Sequence, residues 1–102
     1  MTALAVIVAG PDPARGLTAL NLAAAAAALG RPVAMLFDAP GVVLLSEPQL
    51  TEALATAREL GVEVTACTTG VSATATPLPD GIEPGGMLSF LQAAGSAQLV
   101  VI

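Results

Sequence analysis

Continuous apolar runs along this chain alternate with segments whose apolar residues recur every three or four positions. The first run covers residues 3–9 and stops at Gly10-Pro11, and the second covers residues 33–37. Runs of this kind are typical of parallel strands that are covered on both faces of the sheet. Residues 99–102 form another such run, and residues 62–66, which lead to Cys67, have the composition of a strand although they include Glu63 and Thr65. The pattern therefore predicts strands at these four places.

Helices are predicted between the strands, and the first of them has clear ends. Asp12 can cap a helix that starts at Pro13, where a missing N–H group costs nothing, and Gly30 can end it in the left-handed conformation. Residues 81–86 lead into another helix over residues 87–94. The chain thus has a long helix near its start and a shorter one near its end.

The middle of the chain is less regular. Residues 42–45 suggest a short extended piece, and Ser46 with Gln49 fits a capping box before a helix over residues 50–60. Residues 68–80 show no periodicity and contain two prolines, so they predict a loop. A loop of that length in a compact domain usually carries function or contacts.

Strands that alternate with helices and short turns specify an α/β fold with a parallel, doubly wound sheet. We expect three layers, α/β/α, around a mainly parallel sheet of four to five strands with flavodoxin-like winding. A chain of 102 residues is long enough to close one core and too short for two. Residues 1–102 are therefore expected to form a single domain.

The composition excludes several classes of function. Histidine is absent, so no catalytic triad containing it is possible. Eight acidic residues against three basic ones give a formal net charge of −5, which argues against nucleic acids and anionic membrane faces as partners. No segment has the ~20 uninterrupted apolar residues of a transmembrane helix, and the first residues lack the basic start of a secretory signal. We expect a cytoplasmic protein with no membrane span.

The first predicted helix has no charged side chain between Gly16 and Gly30. Its polar side chains in this stretch are Thr18 and Asn21, and residues 23–28 are all alanine. A helix without a polar face is usually buried on all sides. In a chain this small, we expect another subunit to cover the side of the helix that faces away from its own sheet. The alternative is that alanine was selected for helix propensity alone. The pattern predicts an oligomer.

Cys67 is the single cysteine and the best candidate for catalytic chemistry. It follows a predicted strand, and in an open α/β sheet ligands collect beyond the carboxyl ends of the strands. A thiolate there could be stabilised by backbone N–H groups, by the hydroxyls of the following loop, or by the start of a helix near two glycines. The candidate binding residues are Thr68, Thr69, Ser72, Gly85 and Gly86.

Structural roles are the alternative for the same residues. A free cysteine is commonly a small buried hydrophobic residue, and Gly85-Gly86 can be a place where two backbones meet. Asp12 and Asp38 follow predicted strands but lack the cluster of ligands that a metal site needs. They are interpreted as a helix cap and a turn residue. No metal and no cofactor is expected.

Residues 13–23, 61–67 and 80–91 carry a likeness that extends over nearly the whole chain. Its most specific part is Ala66-Cys67 after a strand, followed by Gly85-Gly86 at the start of a helix. In these features the chain resembles the DsrE/DsrF-like proteins, a family of small α/β domains that includes sulfur-relay subunits.

The resemblance implies a role for Cys67 and an assembly. Cys67 matches the cysteine that accepts a sulfane sulfur as a persulfide in sulfur-relay members, which implies a protein that donates or accepts sulfur. Homo- or hetero-oligomers, commonly trimers or hexamers, are implied as well. Relay members tend to have a short helix after this cysteine, which residues 68–80 do not predict.

Two hypotheses for the function follow. The first is a sulfur-carrier or sulfurtransferase-like subunit that accepts a persulfide on Cys67. The second is a non-catalytic oligomeric module that binds a small ligand or a protein partner in a pocket around Cys67, Phe90 and the long loop.

Overall fold

Five parallel strands form one sheet in the computed structural model, which describes residues 1–102. The strands are β1 (Leu4–Val8), β2 (Val33–Phe37), β3 (Glu63–Cys67), β4 (Glu83–Gly85) and β5 (Gln98–Val101). Their order across the sheet is β4-β3-β2-β1-β5. β2, β3 and β4 follow on one side of β1 and β5 lies on the other, so the sheet is doubly wound. The expected flavodoxin-like winding is wrong in its strand order, because that winding has the order 2-1-3-4-5.

Four α-helices cover the two faces of the sheet. They are α1 (Pro13–Ala28), α2 (Thr51–Glu59), α3 (Thr68–Thr74) and α4 (Met87–Ala94). Alternate residues of β1 pack on opposite sides: Val6 belongs to the large core beneath α1 and α2, and Ile7 packs with Phe90 of α4. The expected three-layer α/β/α fold is confirmed, with α4 as the one α-helix on its side.

β1 is buried along its whole length. All five of its residues are at most 7% exposed, and the strand pairs in parallel with β2 on one side and β5 on the other. Val6 lies opposite Met35 in β2 and opposite Val100 in β5. The continuous apolar run predicted a strand covered on both faces, and this is confirmed.

Both predicted ends of α1 are confirmed. Asp12 Oδ1 accepts a hydrogen bond from the Ala14 N–H at 3.0 Å, and Pro13 is the first helical residue. After the helix, Gly30 has a φ of +91°, a conformation in which a side chain would be strained. α1 is the longest helix with 16 residues, and no helix of the structure has the length and apolar character needed to cross a bilayer.

The outer side of α1 is exposed, and from Leu17 onward it carries no charge. Ala19, Leu20 and Ala23 are buried against the sheet, whereas Leu17 and Leu22 on the outer side are 40% and 39% exposed. Within one chain the helix is therefore not buried on all sides, contrary to the pattern of its residues taken alone. Burial of this outer side by another subunit stays a prediction.

Residues 42–45 are not extended. They lie in a 3₁₀ helix, Gly41–Ser46, and a second 3₁₀ helix, Pro48–Leu50, precedes α2. The Ser46 hydroxyl donates to a carbonyl of its own turn, so the predicted capping box is wrong. Asp38 lies in the turn before the first 3₁₀ helix, and its carboxylate accepts the N–H of Gly41 at 2.8 Å, in agreement with its predicted turn role. A short apolar run does not distinguish a strand from a buried helical turn.

The segment after Cys67 is helical rather than a loop. α3 starts at Thr68 and is followed by Ala75, whose φ is +52°. Gly70 of α3 is buried, and a Cβ atom on it would lie 2.5 Å from the carbonyl oxygen of Ala39. This contact between two backbones holds α3 against the turn after β2. Because the close contact of α3 is made by a glycine, the sequence of this helix does not show the apolar periodicity that predicts a helix.

The fifth strand, β4, was also missed by the pattern, which assigned residues 81–86 to the approach to a helix. Glu83 lies opposite Thr65 in β3, and Gly85 lies opposite Cys67. β4 contains a glutamate, a proline and a glycine. Because it is a short edge strand, it needs no apolar side chains, and Pro84 is tolerated there.

We expect the change Gly70→Ala to destabilise the fold by about 1–3 kcal/mol, because the added methyl group overlaps the backbone of Ala39. The measurement is the urea midpoint of unfolding. Gly86→Ala is the matched control, because a Cβ atom on Gly86 meets nothing within 4 Å. Equal midpoints for the two variants would show that α3 does not pack as closely as described.

Candidate functional site

Cys67 is the last residue of β3 and immediately precedes α3. Its side chain is partly buried and packs against the edge of the large core. It occupies the N-cap position, but its side chain makes no capping hydrogen bond. The predicted place of this thiol, at the carboxyl end of a strand, is confirmed.

The three hydroxyl residues predicted near Cys67 lie on α3. Thr68 and Thr69 are its first two residues, and Ser72 follows one turn later. All three are exposed. The backbone N–H groups of the first helical turn have no acceptor within the helix, and an N-cap side chain is placed to reach those of the second and third residues, Thr69 and Gly70. The Cys67 side chain makes no hydrogen bond to these groups in this structure.

The two glycines predicted to belong to the site have different surroundings. Gly85 pairs with Cys67 across β3 and β4, so it is a direct neighbour of the thiol residue. A Cβ atom on Gly85 would lie 2.8 Å from Cγ2 of Thr65, so glycine lets the two strands approach closely here. Gly86 occupies the N-cap of α4, and a Cβ atom there would meet no neighbour.

Asp38 is a neighbour of Cys67 that the sequence alone did not reveal. Phe37 pairs with Ala66 in the parallel register of β2 and β3, so the next residues along, Asp38 and Cys67, lie side by side at the same edge. The carboxylate of Asp38 is turned toward its own turn, where it accepts the N–H of Gly41. Both residues follow predicted strands, and this shared position is the signal that could have paired them.

The basic residues of the chain are distributed unevenly between the two edges of the sheet. Arg31 donates to the Thr2 carbonyl and to Gln98 at the amino edge, both at 2.7 Å. Arg58, near the end of α2, donates to the carbonyl that precedes Gly81, also at 2.7 Å and at the amino edge. Arg15, in the first turn of α1, is the basic residue on the edge that carries Cys67.

A groove of about 440 Å³ runs along the α4 face of the sheet. Phe90 and Ser89 of α4 line it on one side, and Glu63, Thr65 and Glu83 of β3 and β4 line it on the other. Cys67 and the residues of α3 do not line this groove. The pocket expected around Cys67, Phe90 and the segment after Cys67 is therefore not formed as one cavity.

No protein-family model and no curated protein sequence matches this chain. The fold is similar to the solved structure of a conserved protein of unknown function from Bacteroides thetaiotaomicron, with a TM-score of 0.74 and 14% sequence identity. The match covers 97% of this chain and 94% of that one. At this identity the likeness concerns the fold and not the chemistry of the site.

We expect Asp38→Asn to increase the rate at which iodoacetamide alkylates Cys67 by about two- to fivefold at neutral pH, because a negative charge on the neighbouring strand end is removed. The asparagine oxygen can still accept the N–H of Gly41, so the turn is kept. Asp80→Asn, which removes an exposed carboxylate from the amino edge, is the control and should leave the rate unchanged. Equal rates in both variants would mean that Asp38 does not act on the thiol.

Proposed function

We propose that this protein is a sulfur-carrier or sulfurtransferase-like subunit that accepts a sulfane sulfur on Cys67. The position of Cys67 carries the proposal: the thiol lies at the carboxyl edge of a parallel sheet, directly before a helix. The resemblance to the DsrE/DsrF-like family supports the same role. The short helix that its relay members tend to have after the cysteine has a counterpart in α3, which removes one difference between the chain and those members.

The proposed step is a thiol exchange that needs no external oxidant. The thiolate of Cys67 attacks the outer sulfur of a donor persulfide, R–S–SH. A new S–S bond forms at Cys67 while the S–S bond of the donor breaks, and the donor leaves as the thiolate R–S⁻. Transfer to an acceptor thiol repeats the same exchange and regenerates Cys67.

The groups around Cys67 support this step in two ways. The N–H groups of Thr69 and Gly70 can donate to an anionic sulfur, as can the exposed hydroxyls of Thr68, Thr69 and Ser72. Gly85, beside Cys67, has no side chain that could obstruct an approaching donor. Arg15 provides positive charge on the same edge. We propose a cytoplasmic carrier whose donor and acceptor are other proteins.

The proposed assembly is a homo-oligomer, a trimer or hexamer, or a hetero-oligomer with a related chain. Two uncharged surfaces support it. One is the outer side of α1 from Leu17 onward, with Leu17 and Leu22 exposed. The other lies on α4 and on the edge strand β5, where Leu88, Leu99 and Val101 are 73%, 50% and 60% exposed. With a net charge of −5, copies of the chain repel one another least where they meet through uncharged surfaces.

The second candidate function is a non-catalytic oligomeric module that binds a small ligand or a protein partner. The groove along α4 favours it, because this groove has a volume in the range of small-ligand sites and an apolar floor at Phe90. The contact of Cys67 with the large core is compatible with a purely structural thiol. The two functions differ in whether Cys67 must react.

The test of the carrier function is the intact mass of the reduced protein after incubation with an excess of a small-molecule persulfide. We expect a gain of one sulfur, about 32 Da, that is lost on treatment with a dithiol. Cys67→Ser should show no gain, because the chain has no other cysteine.

A denatured sample separates a reactive site from a merely free thiol. If the unfolded chain gains sulfur and the folded protein does not, the carrier proposal is wrong and the binding module is favoured. Faster gain in the folded protein than in the unfolded chain would show that the fold activates Cys67.

We expect sedimentation equilibrium of the wild-type protein to give three or six times the chain mass of 10.0 kDa. Leu22→Glu and Leu88→Glu each place a charge on one of the uncharged surfaces, and the variant at the true interface should sediment at a smaller mass. Thr56→Glu, at an exposed position of α2, is the matched control. A wild-type mass of 10.0 kDa at all concentrations would rule out the homo-oligomer.

A further inference from the structure

The groove along α4 is a second site, distinct from the thiol. It lies on the sparsely covered face of the sheet, where α4 is the sole α-helix, and it extends from the starts of β1 and β2 to the end of β4. Cys67 packs against the core of the opposite face. Gly85, which pairs with Cys67, lines the end of the groove, whereas Cys67 itself does not line it.

The floor of the groove is apolar and well ordered by packing. Phe90 is 7% exposed and belongs to a small core cluster with Ala5, Ile7 and Leu36. Ala34 and the alanines of α4 also line the groove, so these parts of its walls carry short side chains. Such a floor suits a flat apolar group of a ligand.

Two carboxylates lie on the wall opposite α4. Glu83 is opposite Thr65 in the strand register, and Glu63 lies two residues before Thr65, on the same face of β3. Strand geometry separates the Cα atoms of Glu63 and Glu83 by about 8 Å. A single positive charge placed between the two side chains would be near both of them.

No positive charge of the chain occupies this place. The chain contains no lysine, and none of its three arginines lines the groove. Arg31 and Arg58 are bound to Gln98 and to the carbonyl of Asp80, respectively. The groove therefore combines an apolar floor with a negative wall. Arg58 lines the neighbouring depression together with Glu63, but its guanidinium is bound to the Asp80 carbonyl.

We propose that the groove binds a small organic cation, a protonated amine attached to a flat apolar body. The ammonium group lies between Glu63 and Glu83, the apolar body lies on Phe90, and the Ser89 hydroxyl is a further hydrogen-bond partner at the wall of the groove. A volume of about 440 Å³ fits a small molecule of this class. Because this proposal does not depend on Cys67, it goes beyond the sulfur-carrier function.

Charge also argues against a second copy of the chain as the occupant. A two-fold symmetric contact through this face would bring Glu63 and Glu83 of both copies together. Like charges that face each other across an interface oppose association. A small cation has the complementary charge and leaves the uncharged surfaces of α1 and β5 free for assembly.

The test is an NMR titration of the full chain with two probes of the same shape, 2-phenylethylamine and 2-phenylethanol. We expect the amine to bind in the millimolar range and about fivefold more tightly than the alcohol, the ratio expected for an exposed ion pair. Shifts should centre on Phe90, Ser89 and Thr65. The preference for the amine should decrease as the salt concentration rises.

Two double variants distinguish the effect of the two glutamates in the groove from the effect of the net charge of the chain. Glu63→Gln with Glu83→Gln should bring the affinities for amine and alcohol to within about twofold of each other. Glu52→Gln with Glu59→Gln removes the same total charge from exposed positions of α2 and should keep the preference. All four changes are nearly isosteric and at exposed positions, so they leave the fold intact.

The third variant, Ala93→Trp, fills the groove from an exposed position of α4 and should abolish the shifts of both probes. The proposal is overturned if the amine and the alcohol bind equally, or if both double variants affect the preference equally. It is also overturned if neither probe binds and Ala93→Trp changes the sedimentation mass. That result would identify the groove as a contact between subunits.

Discussion

The burial of β1 on both faces is the constraint on which the rest of this structure depends. Its five residues pack alternately under α1 and under α4, and the strand pairs with a neighbour on each side. Each buried leucine, valine or isoleucine side chain of β1 stabilises the fold by about 1.5–3 kcal/mol relative to an exposed one. β2, β3 and β4 follow on one side of β1, and β5 lies on the other. The connecting helices α1, α2 and α3 therefore lie on one face of the sheet, and α4 lies on the opposite face.

The surroundings of Cys67 depend on a different interaction, the close approach of two backbones. Gly70 packs directly against Ala39, which brings α3 onto the turn after β2 and ends β3 at Cys67. On its other side, Gly85 lets β4 lie close to β3. The thiol is thus held between elements that meet through glycine and not through large side chains.

The uneven cover of the two faces explains why this small chain has a groove and uncharged surfaces at the same time. Three helices fill one face, whereas the eight residues of α4 cannot cover five strands on the other. One uncovered part holds Glu63 and Glu83 and is suited to a small cation. Another part, at β5, exposes Leu99 and Val101 and is suited to a protein contact. The same incomplete layer thus provides two kinds of surface.

The sequence by itself determined the strands β1, β2, β3 and β5, the ends of α1 and the place of Cys67, because these depend on local apolar runs and on caps such as Asp12 and Gly30. Only the tertiary structure decided α3, β4, the 3₁₀ turns and the pairing of Asp38 with Cys67. These features arise from contacts between residues far apart in the chain, such as Gly70 with Ala39 and Glu83 with Thr65. A packed glycine such as Gly70 gives the sequence no apolar periodicity, and neither does an edge strand such as β4 that lacks apolar side chains. Such contacts are therefore seen only in the assembled sheet.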